Sequence, residues 1–254
     1  MKSVQLPHIV NMDDDLQKVK QLKRQLRERM WQLMEKEGVT LFPGAYGRIP
    51  NFVGRDAAAK RLAQLPIWRN ARVIKCNPDA PQQPVRELAL REGKIVYMAV
   101  PRLRELKCFV ELLPDRMTEP HRAATIKGAF IYGRKVHPKD MRAIDLMVAG
   151  SVVVNPRGER LGKGGGFSDL EYAILRTFNL IDEMTPIVTT VHELQVVDFD
   201  IPVTPHDIPV DYIVTPKRVI KTDTKHKKPT GILWSYLTQD KIATVPIIQT
   251  LSVG

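Results

Sequence analysis

A glycine-rich segment between two apolar runs constrains the fold of this chain more than any other feature. The run at residues 144–154 holds ten apolar or small residues and predicts a buried strand, which a turn at residues 155–158 follows. The segment RLGKGGGFSD occupies residues 160–169, and residues 170–180 predict a helix. A buried strand that leads through glycines into a helix is the connection expected in an α/β protein.

The residues of this segment are suited to binding an anion. Glycine lets the backbone approach a phosphate closely, and the first turn of the following helix presents unpaired N–H groups. Arg160 and Lys163 add positive charge, and the Asp169 carboxylate is a hard oxygen ligand for Mg²⁺. The pattern is neither Walker A nor GxGxxG. It predicts an anion site whose candidate glycines are Gly162, Gly164, Gly165 and Gly166.

The rest of the chain alternates between predicted helices and predicted strands. Apolar spacing predicts further helices over residues 13–37, 55–64 and 85–91. Short apolar runs predict strands over residues 72–76, 94–100, 186–191 and 210–214. This order favours a single α/β domain with a central, largely parallel sheet flanked by helices. We expect an N-terminal arm over about residues 1–12 and a basic C-terminal tail over about residues 217–254.

The formal charge of +11 indicates a preference for anionic ligands. Nucleotides, nucleic acids and polyglutamylated small molecules would all satisfy this preference, and charge alone leaves these alternatives open. Basic side chains concentrate in residues 18–29 and 217–228. Most such side chains in proteins form a solvated surface, so a specific site has to be argued from other features.

Cysteine usage and hydropathy bear on the compartment of the protein. Cys76 and Cys108 are its only cysteines, and their spacing predicts neither a disulfide framework nor a zinc site. Apolar runs fall short of the roughly 18 residues that a membrane helix needs, and the first residues lack the apolar core of a signal peptide. We expect a cytoplasmic protein that does not bind membranes. The oligomeric state stays open.

The glycine-rich segment resembles the motif of a known family. In 5-formyltetrahydrofolate cyclo-ligases (methenyltetrahydrofolate synthetases) this loop reads Arg-Leu-Gly-Arg/Lys-Gly-x-Gly-Tyr-Tyr-Asp. The chain is also similar to methenyltetrahydrofolate synthase domain-containing proteins from about residue 20 to residue 234. The segments that carry this similarity are Arg48–Gly54, Asn77–Asp79, Gly150–Val152, Asp169–Tyr172, Val191–His192, Gln195–Asp198 and His206–Ile213.

The resemblance implies the cyclo-ligase fold and an ATP- and Mg²⁺-dependent reaction. That reaction converts 5-formyltetrahydrofolate to 5,10-methenyltetrahydrofolate through a phosphorylated intermediate, so the implied ligands are ATP, Mg²⁺ and a reduced folate. Such phosphoryl transfer needs cations around the triphosphate and a site that excludes water. It needs no protein nucleophile, and the sequence offers no Ser/His/Asp or Cys/His arrangement. The catalytic residues therefore stay unassigned.

The resemblance also implies roles for individual residues. Implied for ATP binding are Lys23, Arg24, Arg27, Arg160, Gly162, Lys163, Gly164, Gly165, Gly166 and Phe167. Implied for substrate binding are Ile74, Asp79, Lys163, Phe167 and Ser168, and implied as metal ligands are Asp169 and Asp211. On a helix, Lys23 and Arg27 would share one face and could grip a triphosphate together. Without the resemblance, this basic face would be interpreted as solvated surface, and Asp211 as one half of a buried ion pair.

Three departures from the family pattern argue against the enzymatic activity that the resemblance implies. Phe167 and Ser168 stand where the family has two tyrosines, and Asp79 stands where it has a glutamate. Gly165 occupies a position where family members often carry a cation. The residues implied for ATP binding match the family motif better than those implied for folate binding. A non-catalytic nucleotide-binding module is therefore the main alternative to an active ligase.

Two further hypotheses stay open at this point. An RNA-associated protein ranks lowest, because the chain has no aromatic segment of the RNP1 type. His192 and His206 could act as general acid or base near neutral pH, although a lone histidine is more often structural.

Overall fold

A computed structural model of the protein describes residues 12–252, with side chains from residue 15 onward. In this part of the chain, ten strands form an eight-stranded sheet and a two-stranded sheet. The strands are β1 (Val73–Cys76), β2 (Ile95–Ala99), β3 (Phe109–Leu112), β4 (Arg134–Val136), β5 (Leu146–Val148), β6 (Val153–Val154), β7 (Arg160–Leu161), β8 (Ile187–Thr190), β9 (Tyr212–Val214) and β10 (Val219–Lys221).

Helices are interspersed among these strands along the chain. Those within the described residues are α1 (Met12–Lys36), α2 (Arg55–Leu62), α3 (Pro66–Arg69), α4 (Gln83–Arg91), α5 (Pro120–Ala123), α6 (Ile126–Tyr132), α7 (Phe167–Thr177), α8 (Gln239–Thr244) and α9 (Pro246–Ser252). None of them is both long and apolar enough to cross a membrane.

The large sheet has the order β10-β9-β8-β5-β1-β2-β3-β4. Its central strands, from β9 through β8, β5 and β1 to β2, pair in parallel. Antiparallel pairing is confined to β3 and β4 at one edge and β10 at the other. The predicted fold class is therefore confirmed as a single α/β domain with a largely parallel central sheet.

Alternate side chains of the sheet enter two apolar layers, one on each face. Val73 and Met147 pack in the layer that contains α7 and α9. Ile74 and Leu146 pack in the layer that contains α2, α4 and α6. Because parallel strands are buried on both faces, their side chains form continuous apolar runs, which is the pattern on which the prediction of these strands rested.

Helix α1 is anchored in an apolar layer through its C-terminal half. Met30 and Met34 are buried in a third apolar layer together with Leu161 of β7. Leu22, on the preceding turns of the helix, has 49% of its surface exposed. The N-terminal half of α1 therefore projects from the apolar layers, and its polar residues are available to a site.

The apolar run at residues 144–154, expected as one strand, is two strands in different sheets. β5 ends at Val148 and β6 begins at Val153. Between them residues 149–152 leave the strand, and a Cβ atom on Gly150 would lie 3.0 Å from both Gln82 Oε1 and Ile49 Cγ1. The residues of this bend are as buried as the strands. Apolar or small residues therefore continue through the break, so the sequence pattern does not reveal it.

Residues 217–252, expected to be a basic tail, belong to the fold. β10 joins the large sheet, and α8 and α9 follow it. Val245, Ile247 and Ile248 are fully buried in the layer of α7. These helices have only six and seven residues, too few for a periodic pattern to mark them. The expected N-terminal arm lies, apart from residue 12, outside the described residues.

Candidate functional site

Residues 162–166 form the glycine loop, which connects β7 to α7. Gly164 and Gly166 have φ values of +103° and +63°, in the left-handed region that favours glycine. Gly166 is the N-cap of α7, and no described side chain caps this end of the helix. The first N–H groups of an eleven-residue helix are thus open to an anionic ligand.

A pocket of about 550 Å³, which we call the basic pocket, lies on one side of the glycine loop. The loop, the N-terminal half of α1, residues 204–207 and residues 235–241 contribute to its lining. Its charged side chains are five cations and two carboxylates, namely Lys20, Lys23, Arg27, Arg160, Lys241, Asp169 and Asp207. This excess of positive charge suits a polyphosphate.

Two of the three candidate cations of α1 reach the basic pocket. Arg27 Nε donates to the carbonyl oxygen of Gly162 at 2.6 Å. Lys23 is buried and forms an ion pair with Asp207. Arg24 lies elsewhere on the helix surface, where it pairs at 2.9 Å with a glutamate of α1. The structure therefore gives no support to the expected role of Arg24 in ATP binding.

Asp169 stands in the first turn of α7, between two donors. Its Oδ1 accepts hydrogen bonds from Arg160 Nη2 at 2.9 Å and from the backbone N–H of Ile208 at 3.1 Å. Burial opposes ionisation, but the charge of Arg160 and the Ile208 N–H together hold the pKa of Asp169 below its usual value. The carboxylate is therefore anionic at neutral pH and suited to a cation.

Asp207 is a carboxylate of the basic pocket to which the sequence analysis gave no role. Its Oδ2 accepts hydrogen bonds from the Thr204 N–H at 2.6 Å and from Thr204 Oγ1 at 2.7 Å. Asp207 and Asp211 both lie in the segment of residues 206–213, but the resemblance implies a metal role for Asp211 alone. His206 lines the same pocket, and burial lowers its pKa, which favours the neutral imidazole.

Asp211 lies away from the glycine loop, contrary to its expected role as a metal ligand. It precedes β9, and its Oδ2 accepts from the N–H of Ile187, the first residue of β8. Lys228 Nζ forms an ion pair with the same oxygen at 2.7 Å. Asp211 is thus at the amino-terminal edge of the parallel strands and lines neither pocket that Asp169 shares with the loop. Asp211 is therefore one half of an ion pair with Lys228, which was the alternative interpretation in the sequence analysis.

Replacement of Asp211 by Asn should therefore lower stability and leave nucleotide binding unchanged. We expect the unfolding free energy to fall by about 2 kcal/mol, because the hydrogen bonds that the carboxylate accepts from Lys228 and Ile187 are weakened. Urea denaturation measures this loss. Asp200→Asn is the control, because Asp200 is exposed and, among the described residues, pairs with Arg157 alone. A loss of Mg²⁺-dependent binding without loss of stability would restore the metal role.

The second pocket lies where the order of the strands reverses. From β1 the chain passes to β2 on one side and later to β5 on the other, so the carboxyl ends of β1 and β5 form the switch point at which α/β sheets bind ligands. A pocket of about 520 Å³ lies there, which we call the switch-point pocket. Its lining includes Asn77 and Asp79 after β1 and Gly150 after β5.

Four of the five residues expected to bind substrate line this pocket: Asp79, Lys163, Phe167 and Ser168. Lys163 Nζ pairs with Asp79 Oδ1 at 2.7 Å. Asn77 Nδ2 donates to Ser168 Oγ at 3.2 Å. Lys163, expected to contact both ligands, therefore belongs to the switch-point side of the loop.

A buried ion pair beneath the switch-point pocket was not predicted. Lys75, on β1, is fully buried and pairs with Glu171 of α7. Its Nζ also donates to Asn77 Oδ1 at 2.6 Å. Burial raises the pKa of Glu171, although Lys75 opposes this change. A lysine inside an apolar strand was the available signal, because a buried charge needs a partner.

Two remaining candidates have structural roles. Ile74, expected to bind substrate, is fully buried between the sheet and the α2 and α4 layer. It lies on the strand face opposite Val73, away from α7. His192 Nδ1 accepts from the N–H of Leu194 at 3.2 Å and caps a short helical turn. Neither residue is in the lining of the two pockets.

The fold and the two pockets define an α/β protein with a basic glycine loop at the switch point of its sheet. The model of the 5-formyltetrahydrofolate cyclo-ligase family matches residues 19–216, and the chain belongs to this family. The resemblance noted in the sequence is thereby confirmed.

Curated relatives with the same domain are longer than this chain. The methenyltetrahydrofolate synthase domain-containing protein of Mus musculus is 40% identical over 233 residues, which are 90% of this chain and 63% of the relative. The protein of the same description from Homo sapiens is 37% identical over 235 residues, which are 90% and 61%. The chain thus spans about three fifths of these relatives.

Two solved structures are also similar. The 5,10-methenyltetrahydrofolate synthetase of Aquifex aeolicus is 19% identical, with a TM-score of 0.48 over 80% of this chain and 92% of the other. The enzyme of the same description from Mycoplasma pneumoniae is 15% identical, with a TM-score of 0.43 over 77% and 97%.

Proposed function

We propose that the protein is an ATP- and Mg²⁺-dependent cyclo-ligase that acts on 5-formyltetrahydrofolate or a closely related formylated compound. The observation that carries this proposal is that the two pockets share one wall. Residues common to both linings are Arg160, Gly162, Gly165, Gly166 and Asp169. A nucleotide in the basic pocket and an acceptor in the switch-point pocket would meet at the glycine loop.

The proposed reaction forms and breaks bonds in two steps. The formyl oxygen attacks the γ-phosphorus of ATP, and the bond from that phosphorus to the bridging oxygen of ADP breaks. N10 of the folate then attacks the activated carbon, the carbon–oxygen bond breaks, and phosphate leaves as N10 loses its proton. Both steps depend on alignment and on charge stabilisation more than on a protein nucleophile.

The residues of the loop have the chemistry for this alignment. Arg160 has 3% of its surface exposed, and its guanidinium is held by the Gly150 carbonyl at 2.9 Å and by Asp169. A cation fixed in this way can stabilise charge that develops on the transferred phosphoryl group without reorganising. Lys163 and Asp79 are suited to polar groups of the acceptor on the other side of the loop.

The carboxylates of the basic pocket fit a magnesium nucleotide. Mg²⁺ bound with nucleotides usually takes one or two carboxylates, with phosphate oxygens and waters in its other positions. Asp169 and Asp207 would supply that number, and no cluster of three or more His, Cys, Asp or Glu ligands occurs among the described residues. When bound, the ion would neutralise charge on the phosphates.

An absorbance assay for 5,10-methenyltetrahydrofolate tests the proposal directly. We expect product from 5-formyltetrahydrofolate only when ATP and Mg²⁺ are both present. Saturating Mg-ATP should also raise the melting temperature, since a ligand at a hundredfold excess over Kd stabilises the native state by about 2.7 kcal/mol. An unchanged melting curve in a folded sample would contradict nucleotide binding itself.

A non-catalytic nucleotide-binding module is the second candidate. The observation in its favour is that the switch-point pocket has Phe167 and Ser168 where the family motif has tyrosines, so it lacks a phenol at these positions. A lost hydrogen bond and weaker stacking would each cost about 0.5–1.5 kcal/mol of substrate affinity. Stabilisation by Mg-ATP without any product, at folate concentrations far above those used for active ligases, would favour this candidate.

A further inference from the structure

The basic pocket has a wall that lies beyond the region matched by the family model, which ends at residue 216. Ser235, Tyr236, Leu237, Thr238 and Lys241 contribute this wall. We propose that residues 235–241 are part of the nucleotide site and that Lys241 binds a phosphate group of the nucleotide. This inference rests on the nucleotide binding proposed above and adds a residue to it.

The position of this wall is fixed by buried contacts. Helix α8 begins after Thr238, whose side chain accepts from the N–H of Lys241 at 3.3 Å. Further along the chain, Val245 and Ile247 are fully buried in the layer of α7. The chain on either side of Lys241 is therefore tied to the same helix whose N-terminus the glycine loop forms.

The Lys241 ammonium group lies directly at the glycine loop. Its Nζ is 5.3 Å from the centre of the Phe167 ring, in a cation–π contact. A Cβ atom on Gly166 would lie only 2.5 Å from this Nζ. The ammonium thus occupies space that a side chain at the N-cap of α7 would fill, beside the open N–H groups of that helix.

Lys241 is a partly buried cation of the pocket, and its ammonium group makes no ion pair or hydrogen bond with a described residue. Lys23 pairs with Asp207, Arg160 pairs with Asp169, and Arg27 donates to a loop carbonyl. Lys20, which likewise has no ion pair among the described residues, is exposed to solvent, whereas Lys241 is partly buried. A partly buried cation without a partner is unfavourable, and a bound anion relieves that cost.

The ligand that fits this arrangement is a nucleoside triphosphate rather than a single phosphate. These cations come from α1, β7 and α8, and each borders a different glycine of the loop: Arg160 borders Gly162, Arg27 borders Gly164 and Lys241 borders Gly166. The positive charge therefore follows the loop instead of converging on one point. A linear chain of phosphates can contact all three elements, with its remaining charge met by the cation that Asp169 and Asp207 would hold.

Calorimetric titration of the full chain tests this inference, with Mg-ATP and inorganic triphosphate as probes. Lys241→Gln should weaken both by about tenfold, a change of about 1.4 kcal/mol. Lys241→Met keeps the apolar stem on Phe167 and should show the same loss, whereas Lys241→Arg should retain most of the affinity. The matched control is Lys225→Gln, which removes the same charge from an exposed lysine outside the pocket.

The outcomes separate this inference from the proposed function. If the unmodified protein binds neither probe, the nucleotide site and the role of Lys241 both fail. If it binds both probes and the two uncharged variants bind as tightly, only the role of Lys241 fails. Equal losses in Lys241→Gln and Lys225→Gln would show diffuse attraction and would also overturn the inference. A loss confined to the two uncharged variants, in samples with unchanged melting temperature, supports it.

Discussion

Replacing Lys75 by Met should reduce the free energy of unfolding by about 3–5 kcal/mol at neutral pH, because it leaves a carboxylate buried without its partner. Lys75 is fully buried, and Glu171 has only 5% of its surface exposed. Methionine has a similar size, so the apolar packing around β1 is largely kept. The loss is then electrostatic in origin, and urea denaturation measures it.

The same variant should show a distinctive dependence on pH. Burial raises the pKa of Glu171 above its value in the unfolded chain, so the native protein holds this proton more tightly. The stability that the proton contributes is lost as pH rises through the raised pKa. Removing Lys75 removes the charge that opposes the shift. The loss of stability should therefore be larger at about pH 8 than at about pH 5.

A second substitution supplies the control for this prediction. Glu171→Gln in the Lys75→Met background removes the unpaired charge, so it should restore part of the stability at high pH and flatten the pH dependence. An equal loss at both pH values, unchanged by the second substitution, would mean that Lys75→Met disturbs packing rather than charge balance. Lys75 also donates a hydrogen bond to Asn77, which in turn donates to Ser168. The Lys75→Met variant should therefore also weaken ligand binding in the switch-point pocket.

The parts of the fold that the sequence predicts well are those determined by local pattern. The central strands are buried on both faces, so β1, β2, β8 and β9 appear as apolar runs bounded by polar residues. The glycine loop is equally local, because the strand, the glycines and the helix follow one another within about 35 residues. Their order predicted the fold class, and the loop that it predicted borders the basic pocket.

The parts that the sequence does not predict depend on contacts between distant segments. The break at residues 149–152 consists of apolar or small residues, and the edge strands β3, β4 and β10 have only three or four residues each. Lys241 lies 75 residues after Gly166 in the chain and meets it only because α9 is buried against α7. Asp207 and Asp211 are four residues apart, yet only the tertiary structure shows which one faces the pocket.

Asp169 is the single residue on which the proposed chemistry depends most. It lines both pockets, its carboxylate is kept anionic by Arg160, and it would be a ligand of the magnesium ion. Asp169→Asn should lower the rate of ATP-dependent product formation by about 10²–10³-fold, the size of effect expected from removing one preorganised electrostatic contact. ATP binding should also lose most of its dependence on Mg²⁺, as titrations with and without a chelator would show.

Asparagine is the informative replacement because its side-chain oxygen can still accept from Arg160 and from the Ile208 N–H, so the loop should keep its shape. Asp145→Asn is the matched control: this carboxylate also accepts backbone N–H groups, from Arg72 and Val73, but at the amino-terminal edge of the sheet. We expect the control to retain full activity and an unchanged response to Mg²⁺. If Asp169→Asn melts like the unmodified protein and still turns over at a similar rate, phosphoryl transfer at this face of the glycine loop is the wrong mechanism.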